Sequence, residues 1–107
     1  MKYQWRKQAE TQMAKEVRYC QQHFGARVAM RFIESVDKQV KLLGLQPYMG
    51  KIEPLLIDRK RHQYRSLVIH EHFKLIYYID QPNDTLYIAD LWDTRREPSR
   101  LTEHIKR

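Results

Sequence analysis

The side chains that could do chemistry are concentrated in the second half of the chain. Arg59, Lys60 and Arg61 form one basic run, Arg65 and Lys74 bracket a short turn, and Arg95 and Arg96 follow the apolar segment TLYIADLW. Cations at the ends of apolar strands, with tyrosine and tryptophan beside them, suit a polyanion: charge holds phosphates and aromatic faces hold bases. Arg95 and Arg96 point in different directions on an extended chain, so only one of them faces any shared site. His70 and His72 flank Glu71, and histidine is the natural proton shuttle near neutral pH. In a tight turn, though, such a pair reads first as surface residues. No Cys/His spacing fits a metal site, so neither a metal nor a cofactor is expected. The single Cys20 falls in a helical apolar stripe and reads as a small core hydrophobe.

The overall charge points the same way. The 107 residues carry 20 Lys and Arg against 13 Asp and Glu, a formal net charge of +7. So basic a small domain calls for a nucleic acid, an acidic protein, or both as partners. Length predicts one domain over residues 1–107. No apolar run is long enough to span a bilayer, and no segment joins a cationic face to a strongly apolar one, so no membrane partner is expected. The start, MKYQWRKQAE, lacks the apolar centre of a signal peptide, which predicts a cytoplasmic location.

The elements that must position these side chains follow from periodicity. Tyr3 and Trp5 alternate with polar residues and predict a strand over Lys2–Arg6. Met13, Val17, Cys20 and Phe24 share one face of a helix over Lys7–His23, ended by Gly25. Val28, Ala29, Phe32, Ile33, Val36, Val40 and Leu43 line a second helix over Ala26–Leu43, with Gly44 as its stop. After the loop LQPYMGKIEP the period becomes alternating. Leu55–Ile57, Tyr64–Ile69, Phe73–Ile79 and Leu86–Trp92 are predicted strands, the last two joined by DQPND. Pro98 opens a short final helix to Lys106. The predicted class is α+β, with a helical hairpin packed on one face of a small antiparallel sheet.

That order, with the strings QYRSLVI, FKLIYYI and DTRREPSRL and the turn LGLQPYMG, resembles the RelE/ParE superfamily of bacterial toxins. The resemblance covers nearly the whole chain. It implies a type II toxin–antitoxin module of the plasmid-stabilisation type, in which the toxin inhibits growth until an acidic antitoxin wraps it. One branch cleaves mRNA on the ribosome. The ParE-like branch poisons DNA gyrase and is not a nuclease.

Cleavage of that kind needs a base for the 2′-hydroxyl, cations for the phosphate oxygens and an acid for the leaving oxygen. By the resemblance, Glu53 matches the general base of the YoeB-like branch, and Lys74 stands where nucleases carry a transition-state arginine. Arg65 would suit a phosphate contact. Arg95 and Arg96 lie where the superfamily gathers catalytic or target-binding groups. Arg59, Lys60, Arg61, Arg96 and His72 are the expected nucleic-acid contacts. Lysine at position 74 brings charge but not the bidentate fork of arginine.

The chain departs from the pattern at Thr94 and Leu101, in the region where relatives hold a His-Tyr pair or a tyrosine as proton donor. Asp93 cannot replace them, because neighbouring arginines push its pKa down. Charge and the Glu53, Lys74 and Arg65 set favour ribosome-associated mRNA cleavage by a metal-independent endoribonuclease. The missing acid favours the gyrase branch. A third reading is a catalytically silent basic module that binds RNA or protein. Lys74 and Arg95 are both expected to be largely exposed.

Overall fold

The structure, a computed structural model, describes residues 1–70 and 72–105. A short strand, β1 (Lys2–Trp5), leads into α1 (Lys7–Phe24), and α2 (Ala26–Leu45) follows after one residue, Gly25. Gly25 makes that reversal possible. Its φ of +89° lies where L side chains are strained, and its N–H donates to Gln21 O at 3.1 Å, closing α1. The predicted apolar spacing positions the hairpin: Phe32, Val36, Val40 and Leu43 of α2 are buried on the sheet, with Met13, Val17 and Cys20 of α1 packed beside them. Phe24 departs from that stripe. It is exposed at the hairpin tip, where its ring meets those of Tyr19 and His23 of its own helix.

Two expected boundaries move. Gly44 does not stop α2, which runs on to Leu45. Its missing side chain instead admits the start of the chain: the Met1 amino group donates to Gly44 O at 2.9 Å, and a Cβ at 44 would lie 3.2 Å from Met1 O. Leu55–Ile57 is not a strand. Pro54–Leu56 forms a 3-10 turn, because Pro54 fixes φ and lacks an N–H, and Glu53 caps the turn by accepting from Leu55 N at 3.1 Å. The edge strand lies earlier, as β2 (Lys51–Ile52). The final helix is α3 (Ser99–His104), and Lys106, its predicted end, lies outside the described residues.

β3 (Arg65–His70), β4 (Phe73–Asp80) and β5 (Thr85–Asp93) complete a sheet of order β1-β5-β4-β3-β2. The α+β architecture is as predicted, with one refinement. β1 joins β5 in parallel, so the sheet is mixed. That pairing brings together distant parts of the chain, which no local pattern encodes. Among the described residues no helix is long and apolar enough to cross a membrane.

A bulge at Ala89 decides what each face of the sheet carries. The β4–β5 register steps from Tyr77 opposite Ile88 to Ile76 opposite Asp90, leaving Ala89 as the extra residue. Strict alternation would place Ile88, Asp90 and Trp92 on one face. With the bulge, Leu86, Ile88 and Leu91 face the helices, while Tyr87, Asp90 and Trp92 face away. This second face is not bare. Leu56 of the 3-10 turn, Leu101 of α3 and Ile105 just beyond it cover Ile76 and Trp92.

Candidate functional site

On the second face, Lys74 of β4 reaches the segment before the 3-10 turn and pairs its Nζ with Glu53 Oε1. The side chains are only 14% and 1% exposed, which corrects the expectation that Lys74 is open to solvent. Alternation aims Lys74 away from Phe73 and Leu75, as predicted, but the capped turn folds over it. Burial alone would raise the Glu53 pKa. Hydrogen bonds from Lys74 and from Leu55 N–H, with the Lys74 charge and Ser66 behind them, outweigh it and hold the carboxyl below its ordinary value. A carboxylate so stabilised binds a proton poorly, which weakens it as a general base.

Arg65 is on the other face. It lies opposite Tyr77, whereas Lys74 lies opposite Val68, and Tyr77 belongs to the helix-side core. Arg65 Nη1 donates to Gly50 O at 2.9 Å, and its guanidinium sits 4.9 Å from the Tyr48 ring centre. Tyr77 OH accepts from Gly50 N at 2.9 Å and donates to Pro47 O at 2.8 Å. Arg65 therefore braces the 47–50 loop. The structure brings Glu53 and Lys74 together and sets Arg65 apart from them, with the sheet between.

At the end of β5 the two arginines diverge. Arg95 donates from Nε and Nη2 to the Asp93 carboxylate at 3.1 and 2.9 Å, and stays largely exposed, as expected. Its hydrogen bonds, aided by its charge, hold Asp93 below the usual carboxylate range. Arg96 turns the other way, 4.6 Å from the Trp92 ring centre on the second face. Neither position in question supplies an acid: Thr94 Oγ1 donates to His72 O at 2.8 Å, and Leu101 is buried. The His72 carbonyl thereby anchors the end of β5. His70 is exposed, its ring edge-on to Phe32.

Two constellations escaped the sequence reading. Asp90, fully buried, pairs with His104 Nδ1 of α3 and accepts from Leu91 N at 2.9 Å. Burial pushes its pKa up despite those bonds. The other is a column of rings. His62 lies flat on Tyr78, centres 3.8 Å apart and planes 13° apart, and Tyr78 stacks on Tyr87 at 5.3 Å with Tyr64 edge-on at 5.6 Å. These rings line a groove of about 890 Å³ that also takes in Lys60 and Arg61. Arg59 lies there too, but its Nη2 caps α3, donating to Thr102 O at 2.7 Å and Ile105 O at 2.9 Å. Tyr78 and Tyr87 come from β4 and β5 and Tyr64 from the residue just before β3, so only the strand pairing could bring them together. Among the described residues no group of three His, Cys, Asp or Glu side chains is placed to hold a metal.

Comparison with known proteins bears on the whole of this arrangement. A family described as the ParE toxin of the type II toxin–antitoxin system parDE matches residues 3–98. No curated protein matches. Among solved structures, the chain is similar to one described as "Chromosomal ParDE TA system from P. aeruginosa", with a TM-score of 0.69 and 16% identity over 87% of this chain and 95% of that one. At that identity the likeness is one of fold. Because the family match spans most of its length, this chain belongs to the ParE toxin family of type II toxin–antitoxin systems.

Proposed function

We propose that the chain is the growth-inhibiting component of a toxin–antitoxin pair and that it acts by binding its target, DNA gyrase, rather than by cleaving RNA. The observation that carries this reading is the Glu53–Lys74 pair. A buried ammonium and carboxylate that neutralise each other leave Glu53 unavailable as a base and Lys74 unavailable as a phosphate-binding cation. Arg65 lies across the sheet from them, and Thr94 and Leu101 offer no proton donor. Membership of the ParE family supports the same branch.

An acidic antitoxin is the natural partner of a chain of net charge +7. Exposed apolar side chains on the helical hairpin, Tyr19, Phe24, Met30 and Leu45, and Ile57 after the 3-10 turn give such a partner surface to bury.

Tightly controlled expression tests the reading. Growth arrest with intact mRNA and altered plasmid supercoiling is expected. Arrest with new mRNA ends at ribosomal A-sites would replace the gyrase reading with RNA cleavage, and unaffected growth would remove the toxin reading.

A further inference from the structure

The ring column lies on the second face, over the Asp80 end of β4. It has no part in the proposed toxic mechanism. We infer that the groove formed by His62, Tyr64, Tyr78 and Tyr87 takes unpaired bases of a single-stranded nucleic acid, with Arg6 and Arg61 for its phosphates. The inference does not depend on which target the toxin has.

The spacing of the rings is the first ground. His62 on Tyr78, at 3.8 Å and 13°, has the separation and tilt of stacked bases, and Tyr87 continues the column. A planar base extends such a stack without regard to its identity, which is how sequence-tolerant single-strand sites work. His62 is also held below its ordinary pKa, by partial burial and by the charges of Arg61 and Arg6, so its ring is neutral at pH 7 and stacks without importing charge.

Charge complementarity is the second ground. Arg6, Lys7, Arg59, Lys60 and Arg61 line the groove against two carboxylates, Asp58 and Asp80. Arg59 is committed to α3, Arg6 lies over the Tyr87 ring, and Lys7, Lys60 and Arg61 line the rest of the groove. Arg6 sits 5.7 Å from the Tyr87 ring centre, at the end of the column. An acidic peptide would satisfy the cations but not the rings. The floor of the groove is also the face of β4 and β5 in mid-sheet, so no strand edge is open there for a peptide backbone to extend.

The test uses the purified full chain and fluorescence anisotropy with an eight-nucleotide single strand, as RNA and as DNA. The control is an abasic strand of the same length and charge. The intact strand is expected to bind about tenfold or more tightly than the abasic one. H62A/Y87A should lose roughly tenfold on the intact strand and leave the abasic strand unchanged. H62A alone, on a connecting segment outside the core, should lose about threefold with the same selectivity, which keeps the test sharp if the double variant unfolds. R61A should flatten the dependence of log affinity on log salt by about 0.7. Equal binding of RNA and DNA supports recognition of base and phosphate alone, and a preference for one adds a sugar contact. Equal affinity for intact and abasic strands, equal loss on both in H62A, or displacement of the strand by polyglutamate at matched charge would overturn the inference.

Discussion

Lys74 and Glu53 close an ion pair on the second face of the sheet, and the turn that starts at Pro54 holds the carboxylate there. Pro54 turns the chain into a 3-10 helix, Glu53 caps that helix, and the cap carries the carboxylate over β4. The pair is therefore a structural joint between the Lys51–Leu56 segment and the sheet.

From this it follows that Lys74→Ala destabilises the fold. Removing the ammonium strands a buried carboxylate, a loss of about 3 kcal/mol. K74M/E53Q, which removes both charges and keeps the bulk, should recover most of it. Urea unfolding of both variants is the check. An unchanged midpoint for K74A would mean that the pair is solvated in solution.

The same pair gives stability a pH dependence. The folded pKa of Glu53 is lowered from its ordinary 4.5. Its contribution is thus fully present above that value and is lost as pH falls through the folded pKa. Asp93, lowered by Arg95, adds a slope of the same sign, and Asp90, raised by burial, opposes it. The difference between the native chain and E53Q isolates Glu53: unfolding free energy measured from pH 6 down to pH 2 should fall less steeply in E53Q.

Gly50→Ala is expected to disrupt the loop that Arg65 and Tyr77 hold. A Cβ there would lie 2.5 Å from Tyr77 OH and 2.6 Å from Ser66 O, and the second of these is backbone that cannot swing aside. The overpacking costs about 1–3 kcal/mol. Thermal unfolding measures it, and a melting temperature equal to that of the native chain would contradict the packing described.

Arg95 tests the target surface. Its guanidinium is largely exposed and its partner Asp93 is a neighbour in the chain, so Arg95→Ala should leave the melting temperature within about 2 °C. If Arg95 touches the target, the variant relieves growth arrest at equal protein level. Full toxicity with unchanged stability would exclude it from the contact.

Much of the fold was legible in the sequence because it rests on local periodicity. The 3.6-residue stripe of Phe32, Val36, Val40 and Leu43 and the reversal at Gly25 are written within a few residues of where they act, and so is the alternation of β3 and β4. Family membership was legible for the same reason, since its strings lie along those elements. Gly44 and Leu55–Ile57 misled because each has a local meaning that a distant contact or a capped proline overrode.

The site was another matter. Composition and spacing supplied the cations, but which of them are free is a tertiary fact. Lys74 is neutralised by Glu53, whereas Arg65 is engaged by a loop carbonyl on the opposite face and Arg59 by carbonyls at the end of α3. A single inserted residue, Ala89, moves Asp90 and Trp92 to the second face, where Tyr87 already lies. The sequence by itself determined the elements and their apolar faces, because those depend on neighbours a few residues apart. Only the tertiary structure decided which charges meet and which rings stack, because strand register and the bulge bring together side chains that no local pattern relates.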